Sequence, residues 1–194
     1  RFVEIIDCKN NEKILDVGSG SGDIAFEITR TKTPVYLHLL DLNKEMLKEG
    51  KKRFKNKKNI KFIIGNGENL KLKSNYFDKY AIAFCLRNIT NFVLSIKEAH
   101  RVLKPGGKYC CLEFSSPKSS LMYHTYKIYK SNILPFLGKV IAKDKDAYKY
   151  LSESIDLFPN QQELEKILIS CGFINVRSIN LFNGIVSIHT GYKI

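Results

Sequence analysis

The stretch Ile-Leu-Asp-Val-Gly-Ser-Gly-Ser-Gly-Asp, residues 14–23, decides the fold of this chain, because an apolar strand runs there directly into three glycines spaced by two. A dinucleotide site of the Rossmann type has the pattern GxGxxG, in which the third glycine brings the helix close to the strand. Here the pattern is GxGxG, and Asp23 occupies the position of that last glycine. A carboxylate at a helix start repels a pyrophosphate, so the loop favours a nucleotide cofactor without phosphates.

S-adenosylmethionine (SAM) fits this loop because it carries a cationic sulfonium and an amino-acid tail. Gly18, Gly20 and Gly22 allow the backbone to approach such a ligand, next to carboxylates that match its charge. After the next helix, an apolar run at residues 35–40 ends in Asp41, where a strand-end carboxylate binds the two ribose hydroxyls of an adenosine. The order strand, loop, helix, strand and acid therefore predicts a cofactor site rather than a cluster of turn glycines.

A further turn brings polar groups to the same edge of the predicted sheet. Asn66 and Gly67 follow the third predicted strand, and loops after parallel strands converge on a ligand crevice. We expect Asn66 to hydrogen-bond the adenine edge and Gly67 to let the backbone pack against the ring, although an ordinary glycine turn has the same letters. Leu42, beside the predicted ribose acid, and Phe84, at the end of the fourth predicted strand, complete the predicted cofactor contacts.

The composition is that of one globular domain. A chain of 194 residues with 44% hydrophobic content supports a single full core. Its longest apolar stretches are far shorter than the roughly 18 residues that a membrane helix requires, which predicts a soluble or peripheral protein. The five cysteines are odd in number and lack metal-ligand spacing, so we predict reduced thiols and no metal site.

The formal net charge of +13 admits three interpretations: a nucleic-acid partner, an anionic membrane surface, or no particular partner. The lysine-dense run at residues 44–61 follows a helical period, so its lysines are most simply the solvated face of a helix. Residues 121–139 mix aromatic side chains with lysines, a composition that suits either a membrane interface or a lid over a substrate.

Strand-like runs alternate with helical patterns, which is typical of a parallel α/β sheet. The predicted strands lie at residues 13–17, 35–40, 60–64, 80–84 and 108–114. Residues 118–150 have no strand pattern and are predicted to form a helical insertion. A helix at 160–170 and an antiparallel hairpin of strands at 174–180 and 185–190 follow. This order predicts one domain, residues 1–194, with the Rossmann-like, mostly parallel seven-stranded sheet of a class I SAM-dependent methyltransferase.

The fourth predicted strand leads into Arg87 and Asn88, which are expected to face the same crevice. A fixed guanidinium and an amide donor stabilise negative charge on a substrate oxygen, whereas the alternative for Arg87 is a surface salt bridge. Glu113, at the end of the fifth strand, either contacts the substrate or caps the next turn. Base-methylation motifs are missing, since no Pro-Pro-Tyr follows an Asp or Asn and Cys85 is not part of a Pro-Cys pair.

These residues resemble the C-methyltransferases of ubiquinone and menaquinone biosynthesis. The resemblance covers residues 13–194, and GDIAF at 22–26 is most similar to the mitochondrial ubiquinone branch. The segments that carry it are GSGD at 20–23, DLNKEML at 41–47, LRNIT at 86–90, RVLKPGG at 101–107, YLSESI at 150–155 and GIVSIHTGYK at 184–193. The resemblance implies that Ser21 contacts SAM and that Arg87 and Asn88 are the catalytic pair.

The sequence departs from this family's pattern at several positions. Gly18 and Ser19 stand where the family usually has Ala-Gly, Cys85 stands where it has Gly, and Ala83 replaces a Ser that often contacts the cofactor. The family's N-terminal helical segment, with a tyrosine near the substrate, is expected to lie outside this sequence.

The resemblance implies transfer of a methyl group from SAM to a ring carbon of a polyprenylated benzoquinol in ubiquinone biosynthesis. It also implies a mitochondrial location, peripheral to the matrix side of the inner membrane, with other ubiquinone-biosynthesis enzymes as partners. A homodimer is left open, and no nucleic-acid partner is expected. Two alternatives stand beside this interpretation: an RNA methyltransferase, suggested by the charge, and a non-catalytic SAM-binding scaffold.

Overall fold

The computed structural model describes residues 1–115 and 145–194, so most of the insertion predicted at 118–150 lies outside the described residues. The helices are α1 (Phe2–Ile6), α2 (Asp23–Arg30), α3 (Lys44–Arg53), α4 (Phe92–Val102), α5 (Lys145–Leu157) and α6 (Gln161–Ser170). The strands are β1 (Lys13–Val17), β2 (Tyr36–Asp41), β3 (Ile60–Ile64), β4 (Phe77–Ala83), β5 (Leu103–Phe114), β6 (Ile174–Leu181) and β7 (Val186–Tyr192). Short 3-10 turns lie at Leu86–Asn88 and Phe182–Gly184.

The strands form one seven-stranded sheet in the order β3-β2-β1-β4-β5-β7-β6. The first five strands pair in parallel, and β7 runs antiparallel between β5 and β6. The strand order reverses between β1 and β4, and in an open α/β sheet this is the place where a crevice forms beyond the carboxyl ends. The predicted class I Rossmann-like sheet with its C-terminal hairpin is therefore confirmed.

Helices cover both faces of the sheet. In β1, Leu15 and Ile14 belong to two different buried clusters, because successive side chains of a strand point to opposite faces. Helices α4 and α6 pack on the first face, where Ile96 is fully buried, and α1 and α2 pack on the second, where Ile28 is fully buried. Burial on both sides explains why the apolar residues of β1, Ile14, Leu15 and Val17, do not alternate with exposed polar ones.

Local capping fixes where the helices begin. The side chain of Asn43, two residues after the end of β2, accepts hydrogen bonds from the N–H groups of Glu45 and Met46 and so caps the start of α3. Asn160 and Glu163 form a reciprocal capping box, so α6 begins one residue later than predicted and Asn160 is its cap.

Three boundaries differ from the prediction by three residues or more, and the others that differ do so by one or two. Strands β4 and β5 begin at Phe77 and Leu103, earlier than the predicted 80 and 108, because these two buried side chains already pair across the sheet. Helix α5 runs to Leu157, beyond the predicted end of the insertion at 150. None of the described helices is both long enough and apolar enough to span a bilayer.

Candidate active site

A cavity of about 400 Å³, here called the cofactor cavity, opens where the carboxyl ends of β1, β2, β3 and β4 meet. Its wall contains Gly18, Gly20, Asp41, Leu42, Asn66, Gly67, Phe84 and Asn88, all predicted from the sequence. Ser21 and Gly22, also predicted, lie outside its described wall. Gly22 instead caps α2 with φ 86°, and a Cβ there would come within 2.7 Å of the Phe54 ring.

Backbone hydrogen bonds tie the glycine loop to the end of β2. The N–H groups of Gly18 and Ser19 both donate to the Leu40 carbonyl, at 2.8 and 3.1 Å. The Gly20 N–H donates to Asp41 Oδ2 at 2.7 Å, and Gly18 and Gly20 both adopt positive φ. These contacts fix the loop beside the acid that was predicted to bind ribose.

Asp41 is held in place but keeps acceptor capacity. Its Oδ1 accepts from the Asn43 N–H at 2.8 Å, and its Oδ2 accepts from Gly20. Each carboxylate oxygen has a second lone pair, so the group can still accept hydrogen bonds from the two hydroxyls of a ribose.

Asp16, which the sequence analysis did not single out, is a buried carboxyl beneath the loop. It is 1% exposed, and its Oδ2 has no hydrogen-bond partner among the described residues. Burial, reinforced by Asp41 and Asp23, raises the pKa of Asp16 to about 8. A cationic ligand would stabilise this carboxylate, so Asp16 and Asp41 fit a positively charged cofactor such as SAM. The sequence could have indicated Asp16, because it is an acid between the apolar residues of β1.

The turn after β3 forms the opposite wall. Asn66 Oδ1 accepts from the Glu68 N–H at 2.9 Å, which shapes the turn. A Cβ at Gly67 would lie 3.2 to 3.3 Å from side-chain atoms of Val17, Ile89 and Ser95, so the backbone packs closely against the core. Asn66 and Gly67 both line the cofactor cavity, and their contact with adenine stays a prediction.

Arg87 is buried rather than directed into the cofactor cavity. Its side chain is 9% exposed, and its Nη1 donates to Glu113 Oε1 at 2.6 Å and to the Phe84 carbonyl at 2.8 Å. The guanidinium also lies 5.1 Å from the centre of the Phe114 ring. The alternative of a surface salt bridge is therefore wrong, because the ion pair is internal.

Glu113 is the partner that orients Arg87. It is 1% exposed, and its oxygens also accept from the backbone N–H groups of Arg87 and Phe114. Burial raises the pKa of Glu113, and the charge of Arg87 opposes that rise. Glu113 therefore orients Arg87 and also binds the N–H of the residue that follows it, and it lies outside the described walls of both cavities named in this section.

A second cavity of about 290 Å³, here called the acceptor cavity, adjoins the first. The two share Ile89 and Thr90, and the consecutive residues Arg87 and Asn88 line the acceptor and the cofactor cavity respectively. Helix α5 forms the far wall, with Tyr150, Glu153, Ser154 and Leu157 on one helical face. The 3-10 turn thus presents a cation and an amide at the boundary of two cavities.

Cys85 occupies space that a larger residue at Gly18 would need. A Cβ built on Gly18 would lie 2.1 Å from the Cys85 sulfur and 2.5 Å from its Cβ. Burial raises the pKa of the Cys85 thiol to about 12, so it is not a nucleophile at neutral pH. The glycine at 18 and the cysteine at 85, both departures from the family pattern, are therefore matched in shape.

The sheet order, the glycine loop and the strand-end acid together define a class I SAM-dependent methyltransferase. The chain belongs to the ubiE/COQ5 methyltransferase family, whose model matches residues 1–193. This match confirms the predictions of a SAM-dependent C-methyltransferase and of SAM as its cofactor.

Two relatives illustrate the similarity. A Rickettsia bellii protein named "Ubiquinone/menaquinone biosynthesis C-methyltransferase UbiE" is 45% identical over 191 residues, which cover 95% of this chain and 77% of that protein. The Zymomonas mobilis protein of the same name is 40% identical, with coverage of 100% and 80%.

Solved structures support the fold. A SAM-dependent methyltransferase from Aquifex aeolicus superposes with a TM-score of 0.72 at 15% identity, covering 99% of this chain and 87% of that one. A Haemonchus contortus phosphoethanolamine N-methyltransferase in complex with SAM gives 0.69 at 16% identity, with coverage of 96% and 49%. At such identities the similarity concerns the fold alone.

We predict that Asp41→Ala weakens SAM binding by about 1–3 kcal/mol, because it removes a charged acceptor. Asp41→Asn, which keeps an acceptor for the Gly20 N–H, should retain the loop and still lose affinity. Isothermal titration calorimetry measures both. Asp23→Ala is the matched control, since that side chain is 79% exposed and lies outside the described cavity wall. Unchanged affinity in Asp41→Ala would remove Asp41 from the site.

We also predict that Gly18→Ala lowers both the melting temperature and SAM affinity, and that adding Cys85→Gly restores much of each. The remaining deficit should be about 1–2 kcal/mol, the cost of a positive φ for alanine. Gly20→Ala is the control, because its Cβ would meet only the flexible end of Met46, at 3.3 Å. Thermal unfolding and calorimetry measure the two effects. If Cys85→Gly restores the Gly20→Ala variant as much as it restores Gly18→Ala, residues 18 and 85 are not matched in shape.

Proposed function

We propose that this chain transfers a methyl group from SAM to a ring carbon of a polyprenylated benzoquinol in ubiquinone biosynthesis. The observation that carries the proposal is the pair of adjoining cavities, with Asn88 on the cofactor side and Arg87 on the acceptor side. The names of the relatives in the ubiE/COQ5 family support the same reaction.

The cofactor cavity suits SAM on two counts: Gly18 and Gly20 let the backbone approach the ligand, and Asp41 accepts the ribose hydroxyls. Asp16, buried in β1 two residues before Gly18 and outside the described wall, adds a carboxyl that matches the positive charge of SAM. SAM, when bound, supplies a methyl group on a cationic sulfur. The residues of the chain hold the cofactor and exclude water, and the bound methyl group would lie near the boundary formed by Asn88.

The acceptor cavity suits an aromatic ring with an apolar tail. Phe92 and Phe158 pack in its wall with their ring centres 5.6 Å apart, and Ile89 adds an aliphatic surface. Leu157, at the rim, is 87% exposed. A quinol ring would be held between these side chains while a polyprenyl tail leaves past Leu157.

The chemistry requires a phenolate. A ring carbon is a poor nucleophile until the neighbouring hydroxyl gives its proton to a water molecule, which places negative charge on that carbon and on the oxygen. Arg87, a permanent cation held by Glu113, stabilises this charge electrostatically, and Asn88 donates a hydrogen bond to the same oxygen. After the carbon has accepted the methyl group, it releases the hydrogen it carried as a proton to water, and the ring is aromatic again. Holding ring and methyl at attack distance supplies much of the remaining rate.

A membrane surface is the second part of the proposal. Leu42 and Met46, in the wall of the cofactor cavity, and Ile64, at the end of β3 next to Gly65 of that wall, are exposed, although apolar side chains of this size gain by burial. Lys44 and Lys51 are exposed on the neighbouring α3. Apolar side chains flanked by ammonium groups suit an anionic bilayer, from which a polyprenylated substrate would enter.

The remaining partners stay predictions. The relatives named above are bacterial proteins, so a mitochondrial, matrix-side location is an expectation from the resemblance alone. Association with other ubiquinone-biosynthesis enzymes and a homodimer likewise stay predictions. The comparisons do not favour the RNA methyltransferase alternative, and methyl transfer to a short-tailed quinol would exclude the non-catalytic scaffold.

We predict that Arg87→Lys lowers methyl transfer about a hundredfold, because lysine keeps the charge but loses the planar fork that Glu113 orients. Mass spectrometry of the methylated short-tailed quinol measures the rate, and calorimetry should show nearly unchanged SAM affinity. Arg101→Lys is the control, since Arg101 also pairs with a glutamate, Glu98, at 2.6 Å, and is remote from both cavities.

Arg101→Lys should lower stability and leave the rate of methyl transfer unchanged. Near-normal turnover of Arg87→Lys would contradict the proposed role of Arg87. If Asn88→Ala then abolishes turnover, Asn88 carries the stabilisation and Arg87 is structural.

For the membrane surface, we predict that Lys44, Lys51 and Lys55 changed together to Glu reduce flotation with liposomes that contain anionic lipid. The control changes Lys9 and Lys32, exposed in the loops after α1 and α2, and Lys166, exposed on α6. Flotation that falls equally for both triple variants indicates net charge alone, and absence of flotation in the parent protein contradicts the membrane proposal.

A further inference from the structure

Tyr150 connects α5 to the 3-10 turn that carries Arg87 and Asn88. Its hydroxyl donates a hydrogen bond to Asn88 Oδ1 at 3.2 Å. Asn88 lines the cofactor cavity and Tyr150 lines the acceptor cavity, so this hydrogen bond crosses the boundary between them. We propose that Tyr150 is a positioning residue, which fixes the Asn88 carboxamide so that its Nδ2 donates to the substrate oxygen. This inference rests on the proposed function and adds a residue to it.

The chemistry of a carboxamide explains why its orientation needs fixing. The oxygen of the group only accepts hydrogen bonds and the nitrogen only donates them, and the two have nearly the same size. A half-turn about the last side-chain torsion would therefore exchange a donor for an acceptor at little steric cost. An acceptor facing a phenolate would repel it, so the reaction needs the donor arm of Asn88 directed at the substrate.

Tyr150 selects the donor arm because its hydroxyl is bound to Oδ1. Once the oxygen accepts this bond, Nδ2 lies on the other side of the planar group, away from Tyr150. In the opposite orientation Nδ2 would donate to the phenol oxygen of Tyr150, and Oδ1 would face the phenolate, which repels it. Without the Tyr150 hydroxyl, Oδ1 would lose the donor that binds it when Nδ2 faces the substrate.

The position of Tyr150 is set by contacts further along the chain. Ile155 of α5 is 4% exposed, and Phe158, directly after the helix end, packs against Phe92 of α4. These contacts anchor the C-terminal half of α5 on the body of the protein. The face that carries Tyr150 and Leu157 is thereby held against the acceptor cavity.

Arg87 and Asn88 divide the work in this arrangement. The Nη1 of Arg87 is already bound to Glu113 and to the Phe84 carbonyl, so Arg87 contributes mainly its charge. Asn88 contributes a directed N–H at the cofactor side of the boundary. A group that sets the direction of that N–H acts on the rate of methyl transfer rather than on the affinity for either ligand.

The kinetic test compares Tyr150→Phe with Tyr36→Phe in methyl transfer to a short-tailed quinol. Tyr36 is a matched control, since it is 49% exposed against 56% for Tyr150 and lies at the start of β2, opposite the cavities. For Tyr150→Phe we expect kcat to fall about tenfold, the effect of one lost hydrogen bond, with KM and SAM affinity unchanged. Tyr36→Phe should behave as the parent protein.

A double-mutant cycle tests whether Tyr150 acts through Asn88. The effect of Tyr150→Phe should vanish when Asn88 is already alanine, whereas additive effects would overturn the proposal. Asn88→Asp keeps an acceptor for Tyr150 but has no donor, so it should lose more activity than Tyr150→Phe. An Asn88→Asp variant with normal kcat would also overturn it.

A measurement that does not depend on catalysis separates the positioning role of Tyr150 from the proposed function. In NMR spectra, the side-chain amide signals of Asn88, assigned by their loss in Asn88→Ala, should move in Tyr150→Phe and not in Tyr36→Phe. Signals that do not move overturn the positioning role. If they move but the parent protein methylates no quinol, the proposed function fails together with the catalytic consequence, while the contact between Tyr150 and Asn88 stands.

Discussion

The site depends on the hydrogen bonds that join the glycine loop to the end of β2. Two successive N–H groups share the Leu40 carbonyl and a third binds the Asp41 carboxylate, which forces Gly18 and Gly20 into positive φ. A side chain at either position would add backbone strain of about 1–2 kcal/mol, so this geometry favours glycine. The direction of α2, the position of the ribose acid and the floor of the cofactor cavity all follow from this connection.

The sequence was sufficient for features whose cause is local. The glycine pattern, the apolar runs of β1 and β2 and the acid at the end of β2 lie within about thirty residues, where periodicity and turn chemistry act directly. The cap at Asn160 and the hairpin of β6 and β7 are local as well. The predicted starts of β4 and β5 were wrong because pairing across the sheet decides them. Phe77 and Leu103, which pair there, lie far apart in the chain.

Polar contacts between residues far apart in the chain could not be predicted from the sequence. Arg87 and Asn88 were predicted together as substrate-facing donors, but the partner of Arg87, Glu113, is 26 residues away and that of Asn88, Tyr150, is 62 residues away. Nothing in residue type or spacing distinguishes a guanidinium paired internally from one directed at a ligand. Asp16 was not predicted, although it is a carboxyl among apolar neighbours. The glycines that follow it were sufficient to explain the motif.

The fit between Gly18 and Cys85 makes these two positions depend on each other. The family pattern implied by the resemblance has alanine at 18 and glycine at 85, and the present chain has neither. A cysteine placed beside that alanine would occupy the same volume as its methyl group, as the 2.1 Å separation shows. Substitutions at the two positions are therefore expected to be epistatic, because the effect of a residue at one of them depends on which residue stands at the other.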